Sequence, residues 1–264
     1  MLRAMYSGIS GLKNFQSKLD VVGNNIANVN TFGYKKGRVT FKDLVSQQVG
    51  SASGGNGTTA GGVNPKEIGL GGTMATVDNV YNQGAMQNTG RALDVGISGE
   101  GFFAINVNGQ TQYTRAGNFY TDNAGDIVNG DGAYVLSTTN TKITVPAGAK
   151  SLSIGKDGQV SYVNAAGASV NLGQIQVVTF ANNAGLSKVG ANNYIQSQNS
   201  GAPNPGVPGV AGRGELVSGA LEMSNVDLSE EFTEMIVAQR GFQANTRIIT
   251  TSDEILQELV NLKR

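Results

Sequence analysis

The sequence predicts an α+β protein in which long N- and C-terminal helices form a coiled-coil-like pair around a central all-β domain. Three observations predict it. Apolar residues recur every seven positions at both ends, short alternating runs separated by turn pairs fill the middle, and Gly, Asn, Ser and Thr dominate between the ends. A seven-residue stripe is the seam of paired helices, whereas alternation is the mark of half-buried strands.

At the N-terminus, Met5, Leu12, Leu19 and Ile26 hold the seven-residue spacing, with Phe15 and Val22 three places after the middle two. Gly8, Gly11 and Gly23 interrupt this helix, each costing about 1 kcal/mol relative to alanine, so it is expected to be weak alone. The C-terminal pattern is stronger: Leu228, Met235, Phe242, Ile249 and Leu256 keep strict spacing beside a second row, Ile248, Ile255 and Leu262. Asp227, with Glu230 three places on and Glu231 beside it, predicts an N-cap with acidic charge at the positive end of the dipole; Lys263 and Arg264 suit the opposite end. A helix from about Asp227 to Leu262 would run about 50 Å at 1.5 Å per residue. Its stripe must be buried, and the N-terminal helix is the comparable partner within the chain. A plain intramolecular hairpin would satisfy that need; the glycines of the first helix argue for extra support from neighbouring copies.

Between the ends, the stretch Gly50 to Gly62 is low-complexity and reads as flexible coil. From Thr73 to Tyr194 the pattern is strand and turn. Phe103, Ile105 and Val107 precede the turn pair Asn108-Gly109, and Leu152 to Ile154 and Val160 to Tyr162 flank Asp157-Gly158, which predicts two hairpins. Ile143 to Val145 and Ile175 to Phe180 read as further strands, and Ser200 to Gly214, with three prolines, leads back to the terminal helix. The expected organisation is an N-terminal helical part over 1–33, a linker over 34–72, a β-rich outer domain over 73–215 and a C-terminal helical part over 216–264.

Composition narrows the chemistry. The 264 residues carry equal numbers of basic and acidic side chains, without a basic stripe for nucleic acid. Cysteine and histidine are absent, which removes thiolate chemistry, the commonest metal ligand and the commonest general base. No cofactor is expected, nor any enzymatic activity. The glycine clusters at 69–72 and 96–101 lack the context of a phosphate-binding loop. Asp122, Asp126 and Asp131 lack the spacing and flanking helices of a calcium loop, and the C-terminal glutamates read as a helix face. No apolar run spans a bilayer, and no cleavable signal is visible, so membrane insertion is not expected.

The segment Gly23 to Lys35, GNNIANVNTFGYK, concentrates asparagines at a helix end, where amides cap carbonyls and bond across interfaces. It resembles the N-terminal signature of flagellar axial proteins, the family of rod and hook subunits, with Asn24, Asn25, Ala27, Asn28, Thr31, Gly33 and Tyr34 as the motif positions. Three further blocks are similar: Ser98 to Phe103, Tyr113 to Phe119, and the ending from Ser224 to Leu256. The resemblance implies a structural subunit of the flagellum, exported by the flagellar type III apparatus without a cleavable signal and self-associating into a helical tube. In that tube the paired helices would line the inside, the β-domain would lie outside, and the other axial proteins (rod, hook cap, hook-filament junction) would be neighbours. On this reading the heptad residues of both helices are subunit-packing residues. The ending is similar to hook proteins, whereas the length is similar to the distal rod; hook is the expectation and distal rod the alternative. A secreted β-rich adhesin and a carboxylate-dependent wall glycosidase are the readings from other classes; the first needs neither chain end and the second needs two acids converging in a cleft.

Overall fold

The structure is a computed structural model that describes residues 2–54 and 61–262. It contains two long helices, α1 (Leu2–Ala27) and α2 (Leu228–Asn261), with strands between them. The chain divides into two compact units. The first holds residues 1–26, 37–78 and 227–264; the second holds 27–36 and 79–226. Among the described residues no helix is long and apolar enough to cross a membrane.

In the first unit α1 and α2 pack against one another in antiparallel order. Gly8 lies against Ile249, Gly11 against Asn245 and Phe15 against Gly241. Farther along, Lys18 pairs with Glu234, and the Asn25 amide donates to Glu231 Oε2 at 3.1 Å. These partners step three, four or seven residues apart on both helices, the spacing of a coiled-coil seam. The expected cap of α2 is present: the Asp227 carboxylate accepts from the backbone N–H groups of Ser229 and Glu230, at 2.8 and 3.4 Å. Glu230 and Glu231 occupy the first turn, where the dipole favours them. Lys263 and Arg264, expected to complement the other end, lie outside the described residues.

The same unit carries a β-ribbon. Strand Gly37–Asp43 pairs with Gly72–Asn79, and Gln47–Gly50 pairs antiparallel with Lys66–Ile68. A single bridge, Ser53 to Val63, continues the ribbon toward its tip. The low-complexity stretch Gly50 to Gly62 is described only at its two ends, so its expected coil character falls mainly outside the described residues.

The second unit is β-structure. Its largest sheet runs, strand beside strand, through 187–190, 193–195, 110–114, 102–107, 134–135, 127–128 and 120–121; strand 177–179 lies alongside 102–103 and is itself flanked by 204–206. The run Phe102-Phe103-Ala104-Ile105 is continuously apolar because both faces of its strand are covered. Phe103 and Ile105 enter one core with Val95, Ile127, Val160 and Leu216; Phe102 and Ala104 enter another with Tyr113, Val178 and Tyr194. The hairpin at Asn108-Gly109 forms as expected, with both residues at positive φ, 51° and 85°, which a type I′ turn requires. The hairpin around Asp157-Gly158 forms too, pairing Ile154 with Val160. Two expectations change. Ile143 to Val145 is no strand but an irregular segment held by an isolated bridge between Asp126 and Thr144. The proline-rich return contains a short strand, Asn204–Gly206, with Pro205 opposite Val178 at a sheet edge, where a missing N–H is tolerated.

The glycines of the helix pair differ in what surrounds them, and that gives a test. A Cβ on Gly241 would run into the Phe15 ring, whereas one on Gly23 would meet nothing within 4 Å. Gly241→Ala is therefore expected to lower the melting temperature of the helical signal in far-ultraviolet circular dichroism. Gly23→Ala is expected to raise stability by up to about 1 kcal/mol through helix propensity alone.

Candidate functional site

Two sites emerge, one in each unit. In the second unit a buried ionic cluster gathers residues from distant parts of the chain. The Lys35 ammonium contacts Glu222 Oε1 at 2.6 Å, and Arg115 contacts Glu222 Oε2 at 3.0 Å. The side chains of Lys35 and Glu222 are fully buried and that of Arg115 nearly so. Removing such groups from water costs several kcal/mol per ion, so each needs its remaining hydrogen bonds filled. Lys35 also donates to the Asn82 carbonyl at 2.8 Å. Arg115 donates to the Gly99 and Ile97 carbonyls at 2.6 and 3.3 Å. Glu222 accepts further from the Gly84 N–H at 3.0 Å, and its own carbonyl accepts from Gly33 N–H at 2.8 Å. Burial pushes Lys35 below the usual lysine value against the opposing pull of Glu222, and burial likewise lowers Arg115.

Gly33 is needed here for two reasons. Its φ is +69°, and a Cβ would come within 2.6 Å of the peptide between Arg115 and Ala116. The following residue, Tyr34, is buried, with the Lys188 ammonium 5.1 Å from its ring centre. Asn225 closes the cluster's edge, accepting from Lys36 N–H and donating to the Val80 carbonyl, both at 2.8 Å. All four similar blocks of the sequence thus meet at or beside one carboxylate: Gly33 to Lys35, Gly99, Arg115 and Asn225. Sequence reading singled out the blocks but missed Glu222, which stands two residues before the last of them in a strand without a signal of its own.

In the first unit the site is the helix pair. Met5, Leu12, Phe15, Leu19 and Ile26 are half-buried and Val22 is buried. On α2, Met235, Ile249 and Leu256 are half-buried, while Leu228 and Phe242 remain 39% and 37% exposed. The most buried line of α2 is another heptad row, Glu231, Ala238 and Ser252, with Asn245 between them. Sequence reading missed this row because its residues are small or polar. A large apolar surface stays open, with Ile236 at 58%, Val237 at 54% and Val260 at 67% exposure. Of the motif positions in the helix end, Asn25 is buried and accepts from Gly37 N–H at 2.9 Å. Asn24 and Ala27 are exposed. Asn28 accepts from the Thr31 hydroxyl at 3.1 Å in the second unit.

The acidic residues that superficially suggest a calcium loop shape turns instead. Asp122 accepts from the Ala124 and Asp126 N–H groups at 2.9 Å. Lys142 and Thr144 hydrogen-bond Asp126 and hold its carboxyl below the usual range. Among the described residues no group of three or more His, Cys, Asp or Glu is placed to hold a metal ion.

The arrangement of similar blocks around Glu222 agrees with the comparisons to known proteins. Residues 5–35 match the family described as flagella basal body rod protein. Residues 96–162 match the flagellar hook protein FlgE/F/G D1 domain, and 217–262 the flagellar basal body rod FlgEFG protein C-terminal family. The chain is 60% identical over 265 residues to the flagellar basal-body rod protein FlgG of Bacillus subtilis, covering all of both chains. The chain belongs to the flagellar rod and hook protein family. Within that family it is also 38% identical over 268 residues to the FlgG rod protein of Borreliella burgdorferi, again covering both chains fully. To the flagellar hook protein FlgE of Treponema pallidum it is 29% identical, over 464 aligned positions. The family's rod and hook members are structural proteins of the flagellum.

Two outcomes test the ionic cluster. Glu222→Gln leaves two buried cations without the carboxylate that both pair with and is expected to cost about 3–5 kcal/mol in denaturant unfolding, while replacing Lys35, Arg115 and Glu222 together by methionine is expected to come close to wild type. A second outcome concerns pH. Burial pushes Tyr81 up to about 12 and raises Tyr113 and Tyr194 as well. A group whose proton is held longer in the folded state contributes stability that is complete below its unfolded value, about 10, and is lost as pH climbs through the folded value. Wild type is therefore expected to lose more stability than Tyr81→Phe between pH 10 and 12, measured by denaturant midpoints.

Proposed function

We propose that the chain is a subunit of the flagellar distal rod, the straight drive shaft of the basal body, and that it polymerises through its two terminal helices. The observation that carries this reading is the end-to-end match to rod proteins without a large insertion. The alignments to the two FlgG proteins span 265 and 268 positions, against 464 and 443 for two hook proteins. This reverses the preference for hook that the sequence ending suggested; length and overall identity weigh more than the similarity of one terminal segment.

In this reading the open apolar surface of α2 is buried against neighbouring copies, with Leu228 and Phe242 at its border. Contacts that repeat head to tail without closing a ring generate a helical tube. The seam within one copy is weakened by glycine and polar residues, so a neighbour's apolar side chains supply much of the ordering of the pair. Export through the flagellar type III apparatus and contacts with the other axial proteins belong to the same proposal.

Deleting the gene in its own organism separates rod from hook. Basal bodies isolated from the deletion strain are expected to end in a truncated rod with no hook; complete straight rods lacking only the curved tube would overturn the assignment. For the interface, Phe242→Asp places a charge where apolar burial is proposed, at a cost of several kcal/mol. It is expected to abolish rod completion while leaving subunit export intact. Normal rods built from that variant would rule out the α2 face as the packing surface.

A further inference from the structure

One feature of the second unit is used by neither the ionic cluster nor the cores. A cleft of about 310 Å³ opens between four turns, those at 30–32, 114–118, 129–131 and 191–192. Its lining is unusual in chemistry. Four side-chain amides, Asn30, Asn118, Asn129 and Asn192, surround it with the Asp131 carboxylate and Phe32, and no lysine or arginine takes part.

The walls are held by the fold. Asn129 Oδ1 accepts from the N–H groups of Asp131 and Ala133 at 3.0 and 2.8 Å, which shapes one turn. Asn192 donates to the Phe32 carbonyl at 3.2 Å, and its own carbonyl accepts from the Thr114 hydroxyl at 3.0 Å. Ala191 and Asn192 both sit at positive φ, 50° and 58°. For alanine that conformation costs roughly 1–2 kcal/mol, and such strain gathers where a surface is shaped for use. Asn30 and Asn118, in contrast, make no side-chain hydrogen bond among the described residues, and Asp131 has no ion pair there. Both asparagines come from the blocks that resemble the family, Gly23 to Lys35 and Tyr113 to Phe119, whose neighbouring residues Gly33, Lys35, Arg115 and Phe119 are all buried in structural roles.

We propose that this cleft receives an extended segment of a second copy of the chain. A side-chain amide offers one donor edge and one acceptor edge, the complement of a peptide group. The lone carboxylate without an opposing cation suits a lysine or arginine on the incoming segment and disfavours phosphate or carboxylate ligands. Amides and a carboxylate are interleaved with Phe32, Ala116 and Ala191, a mixed lining that suits a peptide's backbone and side chains better than a wholly apolar lipid tail. The proposal rests on the reading of the chain as a polymerising subunit, which supplies sister copies at high local concentration. It adds to the apolar helix contacts a polar, hydrogen-bonded contact made by the β-unit.

The chain has no cysteine, so a single introduced thiol reports on this site alone. In purified full-length Gly130→Cys, which places a thiol in the lining and keeps its amides and carboxylate, maleimide labelling is expected to be fast in monomers and at least tenfold slower in polymers. Asn118→Ala is expected to keep the monomer melting temperature and to raise the critical concentration for polymerisation several-fold. Equal labelling rates in monomer and polymer, or an unchanged critical concentration for Asn118→Ala, would overturn the cleft while leaving the rod reading intact. Failure of the wild-type chain to polymerise at all would remove both. Protection of the thiol in monomers by an N-acetylated oligosaccharide, with none on polymerisation, would reject the second copy as occupant.

Discussion

One buried carboxylate is shared between two buried cations, and the second unit is organised around that constraint. Glu222 sits between Lys35 and Arg115, all three out of water. Lys35 arrives from the turn after α1, Arg115 from a strand end in the middle of the chain, and Glu222 from the strand pairing with 86–88. A charge in such a place is tolerated only when its partners and hydrogen bonds are all present, because the alternative is an uncompensated ion in a medium of low polarity. The cluster therefore specifies one arrangement of three remote segments more sharply than apolar packing would. The apolar cores on either side of strand 102–107 supply burial in quantity; the ionic cluster adds geometric selectivity.

The first unit follows a different rule. Its helices approach closely because Gly8, Gly11 and Gly241 leave room for Ile249, Asn245 and Phe15. Small residues at a crossing exchange side-chain burial for proximity, and polar residues in a seam fix register at some cost in stability. Glu231 with Asn25, and Lys18 with Glu234, set the register of the pair. Much of the large apolar content of α2 stays at the surface. A helix of 34 residues with that distribution gains most when further helices cover it. The proposed assembly gives those residues a partner, so the weakness of the pair in one copy and the cohesion of the polymer have the same origin.

The chain aligns over its whole length with both rod and hook proteins, so the distinction between them rests on what else a chain carries. This chain aligns with rod proteins nearly residue for residue, whereas alignment to hook proteins requires long insertions. Contacts made by hydrogen-bonding amides at fixed turns, as proposed for the cleft beside Asn118, restrict sliding more than apolar contacts do, since hydrogen bonds tolerate small displacements poorly.

The sequence by itself determined the elements whose causes are local. The cap at Asp227, the two long terminal helices and the type I′ turn at Asn108-Gly109 each depend on residues within a few positions of one another, and each formed as the pattern indicates. The family was legible for the same reason, because its blocks are contiguous. Tertiary structure alone decided which row of α2 is most buried. The answer is Glu231, Ala238 and Ser252, in a row whose Glu231 accepts from Asn25 and whose Asn245 lies against Gly11, small and polar residues that carry no hydrophobic signal. It alone decided that Ile143 to Val145 pairs by one bridge rather than as a strand, since pairing depends on what lies opposite. And it alone revealed Glu222: a single glutamate in a three-residue strand carries no periodic signal, and its importance comes from two cations 187 and 107 residues away in sequence.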